Sequence, residues 1–169
     1  LCFTFYVPQG LKKATVLDGD VFDGAFMNMR TLTEVVFADD ADTTYIGEAA
    51  FMGATALEGF TVPAGVSIVG DYAFCFSGVR TVDMSAADEI TVLPEYIFGE
   101  NTRLATISLP ENLVTIEGYA FYMASALKNI VIPDSVTTIG EYAFYACTSL
   151  ESVSLHKTHI RRLSSQSRE

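Results

Sequence analysis

The chain is poor in the side chains on which most catalytic and metal chemistry rests. Only two of its 169 residues are histidine, His156 and His159, and both fall within the last fourteen. A zinc site needs three or four ligands in constrained geometry, so two histidines with Cys147 upstream do not make one. A Ser-His-acid triad needs its histidine on a rigid element, and neither residue lies in the patterned part of the chain. The three cysteines, Cys2, Cys75 and Cys147, are an odd number without regular spacing, which is not a disulfide framework. Cys75 and Cys147 are expected as buried thiols. No catalytic residue, metal ligand or cofactor is expected.

Positive charge is scarce as well. Lysine and arginine number 10 against 21 acids, a formal net charge of −11. The imbalance is uneven: residues 1–155 hold 20 acids and six bases, whereas the last fourteen, HKTHIRRLSSQSRE, hold four bases and one acid. An acidic body repels phosphate backbones, so no nucleic-acid partner is expected. Half the residues are hydrophobic and mean hydropathy is +0.31. No uninterrupted apolar run approaches the ~20 residues a spanning helix needs, which argues against a membrane-spanning chain. There is no starting methionine and no signal-peptide pattern, so the chain is expected to begin inside a longer precursor.

What the chain has is self-similarity. Phe26, Phe51, Phe74, Phe98, Phe121 and Phe144 recur at spacings of 25, 23, 24, 23 and 23 residues. Each is followed five or six residues later by an aliphatic residue: Leu32, Leu57, Val79, Leu104, Leu127 or Leu150. A fixed period of twenty-odd residues means one small unit stacked on copies of itself. The aliphatic residue opens an L-x-x-I-x-L stretch, clearest in LATISLP (Leu104 to Pro110) and LKNIVIP (Leu127 to Pro133). Alternation makes each such stretch a short strand, with Ile130 and Ile132 inward and Asn129 and Val131 outward. Equivalent strands pair in parallel, and Pro63, Pro110 and Pro133, which lack an amide proton, end them. A further strand is expected at Leu11, Ala14 and Val16.

A second apolar pair returns the chain over the inward face: Val66 and Val69, Ile90 and Leu93, Leu113 and Ile116, Val136 and Ile139. The phenylalanines are expected to form one column, usually with alanine before each to leave room for the close return. Tyr72, Tyr96, Tyr119 and Tyr142, each two residues before its phenylalanine, form a second column. A ligand platform and plain stacking both account for it, and stacking is favoured.

The I-G-x-x-A-F blocks, the I-P-x-x-V-x-x-I connector (Ile132 to Ile139) and the L-x-x-I-x-L strand resemble the BspA-like leucine-rich repeat family over about residues 11–155. The resemblance implies a leucine-rich repeat solenoid of six to seven repeats of ~23 residues, each with one short parallel β-strand, and few or no long helices. The family often has cysteine three residues after the phenylalanine. Here only Cys147 fits, with Met29, Ala54, Ser77, Asn101 and Ala124 at the matching positions, as if the site wants something small or adaptable. MSAADEI (Met84 to Ile90) replaces the proline connector. The expected division is residues 1–10 as an N-terminal strand or cap, 11–155 as the array, and 156–169 as a basic polar tail out of register with it. The tail's Arg161-Arg162-Leu163-Ser164 looks like a basophilic kinase site, a pattern common by chance.

Function then moves from an active site to a surface. Two residues into each strand come Glu34, Gly59, Thr81, Thr106, Asn129 and Ser152; four into it come Val36, Thr61, Asp83, Ser108, Val131 and Ser154. The candidate binding face is Glu34, Thr61, Thr81, Asp83, Thr106, Ser108, Asn129, Val131, Ser152 and Ser154. Its short hydroxyls offer hydrogen bonds at little entropy cost, but it lacks the aromatic and arginine anchors of tight interfaces. Affinity per domain is therefore expected to be weak, with strength from many copies. The acidic groups Asp18, Asp20, Asp23 and Asp39, Asp40, Asp42 match no calcium-loop spacing and are expected as solvated loops.

The resemblance implies a non-enzymatic extracellular or cell-surface binding or adhesion module, with a protein or polysaccharide at a cell or matrix surface as partner. The alternatives are a structural spacer in a larger secreted protein, or an accessory domain appended to a hydrolase. Without a cap after Leu155, the last strand invites edge pairing and end-to-end self-association.

Overall fold

The computed structural model describes residues 8–155 and 161–162. The chain winds as a parallel β-solenoid of about six turns, with no helix among the described residues. One side of each coil is the anticipated strand: β1 (Lys13–Val16), β2 (Glu34–Phe37), β4 (Gly59–Thr61), β6 (Thr81–Asp83), β8 (Thr106–Ser108), β10 (Asn129–Ile132) and β12 (Ser152–Leu155). All pairings are parallel, but the ladder is hydrogen-bonded in three segments, β1–β2, β4–β6–β8 and β10–β12. Where three strands run together, Thr81 lies between Gly59 and Thr106, and Asp83 between Thr61 and Ser108.

The return segments form a second ladder that the sequence pattern did not announce. It comprises β3 (Tyr45–Ile46), β5 (Ile68–Val69), β7 (Val92–Leu93), β9 (Thr115–Ile116), β11 (Thr138–Ile139) and β13 (Arg161–Arg162). The pairings are β3–β5 and β7–β9–β11–β13. Thr138 pairs with Arg161 and Ile139 with Arg162, at the array's own 23-residue period. This corrects the expectation that register is lost after Leu155: β13 continues the second ladder, as a backbone ladder needs only amide and carbonyl groups at the right repeat and no apolar side chain.

The third side of each coil is neither helix nor strand. The residues two before and two after the phenylalanine have positive φ, as at Tyr72 (58°) and Phe76 (55°), Tyr96 (53°) and Glu100 (57°), or Tyr119 and Met123 (both 58°). The alternation turns every second N–H toward the next coil. Tyr72 N, Phe74 N and Phe76 N donate to Glu95 O, Ile97 O and Gly99 O, each at 3.0 Å. The intervening amides close local turns, Ala73 N to Gly70 O and Cys75 N to Tyr72 O. Backbone polar groups are thereby satisfied without regular structure.

Between the three sides lies one core. Phe51, Phe74, Phe98 and Phe121 are fully buried. Successive rings from Phe26 to Phe144 stack at centroid distances of 5.3, 5.2, 5.6, 5.5 and 5.1 Å. Phe60 of β4 wedges its edge between Phe51 and Phe74, 4.9 and 4.7 Å away. The glycine of the I-G-x-x-A-F block permits this packing. A Cβ on Gly70 would strike the backbone of Glu48, and one on Gly140 the backbone of Gly118. The expected N-terminal cap falls mostly on residues 1–7, outside the described residues.

Candidate binding face

The outward residues of the first ladder share one face because strand side chains alternate and the coils repeat in register. Glu34, Thr61, Thr81, Asp83, Thr106, Ser108, Asn129, Ser152 and Ser154 are exposed, as is Val131 at 60%. Val36 is half-buried. Glu34 is held by Lys13 across the β1–β2 pair at 3.0 Å, and the Ser152 hydroxyl donates to Asn129 Oδ1 at 2.6 Å.

The face is not flat. A depression of about 590 Å³ crosses β2, β4, β6 and β8, with Val36, Gly59, Thr81, Asp83, Thr106 and Ser108 in its lining. It forms where Gly59 interrupts a row of larger side chains. A second depression of about 460 Å³, lined by Ser85, Ser108, Glu111, Val131 and Asp134, adjoins it at Ser108. The Asp83 carboxylate accepts from the Ser85 hydroxyl at 2.7 Å and the Ser85 N–H at 3.0 Å. Those hydrogen bonds hold its pKa below the usual carboxylate value. Asp83 is therefore charged at neutral pH and oriented by its own turn.

Other candidates resolve into structure. Tyr72, Tyr96, Tyr119 and Tyr142 stack face to face at 5.1, 4.6 and 5.3 Å, so neighbouring rings cover the faces a ligand platform would need. Desolvation, then the Glu95 charge, raises the Tyr72 phenol's pKa. The Asp20 carboxylate accepts from Thr44 N and Tyr45 N at 2.9 Å, tying one coil to the next. Asp23 accepts from the Tyr45 hydroxyl at 2.6 Å and Glu48 N at 2.9 Å. Asp18 is raised by its hydrogen bond with Asp42, whose own carboxyl is lowered chiefly by the Gly19 N–H. Among the described residues, no three His, Cys, Asp or Glu side chains gather as a metal site. His156, His159 and Ser164 lie outside the described residues.

The cysteines need one correction. Cys75 is buried, but Cys147 is only half-buried, because no further coil covers it among the described residues. Desolvation pushes both thiols up to about 11. Cys147 Sγ donates to Phe121 O at 3.1 Å, and Asn101 Nδ2 donates to Phe74 O at 2.7 Å. Asn101 Oδ1 in turn accepts from the buried Ser77 hydroxyl at 3.0 Å. The position three residues after each phenylalanine thus favours more than smallness. Asn101 and Cys147 there reach the phenylalanine carbonyl of the preceding coil, whereas Ser77 turns to Asn101 of the next coil, a role in tying coils together that the shared polarity of the three could have signalled.

The profile of the BspA type leucine rich repeat region matches six copies over residues 20–151. The chain belongs to that family. No curated protein matches it. Among solved structures, a leucine rich repeat protein of T. pallidum is 25% identical, with a TM-score of 0.52 over 88% of this chain and 60% of that one. A leucine-rich repeat protein of Eubacterium ventriosum is 20% identical, with a TM-score of 0.54 over 88% and 45%. A protein of Faecalibacterium prausnitzii described as a leucine rich cell surface protein is 23% identical, with a TM-score of 0.49 over 86% and 60%. The chain thus spans 45–60% of the length of these structures. No helix among its described residues is long and apolar enough to cross a membrane.

Proposed function

We propose that this BspA-type array is a non-enzymatic binding or adhesion module, presented extracellularly or at a cell surface, whose first ladder contacts a macromolecule of a cell or matrix surface. The observation that carries the proposal is the exposed face itself: short polar side chains recur on successive parallel strands, and a trough crosses four of those strands over Gly59. Extended faces of stacked repeats suit partners of similar extent. The ten outward residues of the candidate face include no aromatic or arginine anchor, which makes single-copy affinity weak, so useful strength comes from display in many copies.

The test replaces Thr81, Asp83, Thr106 and Ser108 together, with alanine or, at Asp83, asparagine. Immobilised protein is then compared with wild type for capture of extracellular-matrix proteins and whole cells. Binding should fall by about tenfold or more, as for loss of several polar contacts. Unchanged binding would move the site off this face. End-to-end association through the edge of β12 belongs to the same proposal, and light scattering that stays strictly monomeric as concentration rises would remove that part.

A further inference from the structure

Charge is sorted across the proposed face. The six lysines and arginines of residues 8–155 are Lys12, Lys13, Arg30, Arg80, Arg103 and Lys128. Every one lies at the first residue of a first-ladder strand or within four residues before it. Along that edge the bases are partly neutralised: Glu58 holds Arg103 at 2.9 Å and Arg80 at 3.7 Å, and Glu34 holds Lys13. Among the described residues, the opposite edge, where the strands end, has acids only. Asp83 closes β6, Glu111 follows β8 and Asp134 follows β10, and none of the three makes an ion pair among the described residues. These carboxylates come one per coil and line the two depressions that meet at Ser108.

Resting on the proposed function of this face, we infer that its partner is an extended polypeptide segment carrying serial basic side chains. The segment lies across the strand ends, with lysine or arginine opposite Asp83, Glu111 and Asp134 and its smaller residues over the Gly59 trough. Three arguments select this class. Carboxylates spaced one per coil suit charges repeated along a chain and do not converge on one metal ion, consistent with the lack of a three-ligand cluster among the described residues. An anionic polymer meets no unpaired cation in the depressions. From β2 to β10 there are four strand spacings of about 4.8 Å, which an extended segment of roughly six residues spans.

Fluorescence anisotropy tests the inference with three labelled probes: an octapeptide of alternating lysine and valine, its glutamate-valine counterpart, and cellohexaose. The lysine peptide should bind best. The D83N/E111Q/D134N variant should weaken it by about tenfold or more, and added salt should weaken the wild type in the same direction. A control variant, E95Q/E117Q/E141Q, makes the same change in net charge on residues just before the phenylalanine turns, and it should stay within about twofold of wild type. Equal loss in both variants would show a net-charge effect and overturn the inference, as would preference for either other probe. Gly59→Phe distinguishes the two levels of claim, since its Cβ would meet only the Thr81 hydroxyl, at 3.3 Å, and its ring would occupy the trough. If the glutamate peptide or cellohexaose binds and Gly59→Phe abolishes it, the basic class fails and the binding face stands. If the preferred probe is untouched by Gly59→Phe and by the four-residue face variant, the face itself fails. Circular dichroism checks that each variant is folded, and the two surface-charge variants decide the inference should Gly59→Phe misfold.

Discussion

At the scale of single residues, the fold spends conformational energy to keep its coils in contact. Ala49 sits at φ 52° in the position that tyrosine occupies in four later coils. Left-handed backbone costs an L-residue roughly 1–2 kcal/mol. Tyrosine offsets that by stacking, and alanine has no ring with which to do so. Ala49→Gly should therefore stabilise the protein by about 1 kcal/mol, read as a higher urea midpoint at unchanged slope. Tyr96→Gly should lower the midpoint, because it also removes a ring stacked on Tyr72 at 5.1 Å and on Tyr119 at 4.6 Å. Cys75 carries a pH dependence. The unfolded chain releases its thiol proton near the ordinary value of 9, and the folded protein holds it to about 11. Within that window the unfolded state binds fewer protons, so stability falls as pH rises and is unaffected by this group below it. Cys75→Ala should flatten the decline in thermal midpoint between pH 9 and 11; an identical slope would show that the thiol is not the cause.

At the scale of elements, how readable a side of the coil is depends on the length of its pattern. The first ladder was legible because each strand offers three or four alternating residues bracketed by a leucine, or by Val79 before β6, and, in three coils, a proline. The second ladder has strands of two residues, such as Val92–Leu93, too short for alternation to register; only its apolar pairs were visible. The third side was legible as a column of phenylalanines but not as a backbone path, since the left-handed positions carry Tyr, Phe, Glu, Met, Ala and Asn as well as glycine. The outward direction of the strand residues was legible, as period-two alternation fixes it, but alternation says nothing of what they bind. The trough was not foreseen, for it depends on the one coil with glycine in that row. Asn101 ties two of these levels together, accepting from Ser77 and donating to Phe74 O inside the core. Asn101→Leu should cost about 1–3 kcal/mol by stranding the buried Ser77 hydroxyl and taking from Phe74 O one of its two donors, the Ser77 N–H at 3.2 Å remaining. The Ser77→Ala/Asn101→Leu double variant should recover part of that loss, and a strictly additive double-mutant cycle would show that the two side chains act independently.

At the scale of the whole molecule, each coil packs chiefly on its two neighbours, the Arg103–Glu58 ion pair at 2.9 Å reaching one coil further, so stability is close to a sum of coil and interface contributions. This makes a strong claim about deletion. Removing residues 105–127 takes out 23 residues, one complete period. Leu104 then precedes Lys128, just as Leu127 does in the intact chain. In the shortened chain β6 lies beside β10, β7 beside β11, and Phe98 meets Phe144 where it had met Phe121. Every column closes over the gap, and only one coil's share of burial is lost. The deletion should fold, keep the β-rich circular dichroism spectrum and unfold in one transition at a lower midpoint. Removing residues 105–116 alone takes half a period. It brings Glu117 to Leu104 and sets connector residues against strand residues for the rest of the array, so the phenylalanine column is cut at Phe98. That protein should lose cooperative unfolding or fail to fold. If both deletions behaved alike, the columns would not be what holds the coils in register. If the full-period deletion failed alone, the interfaces flanking the missing coil would be specific to it and not interchangeable, contrary to the nearest-neighbour account.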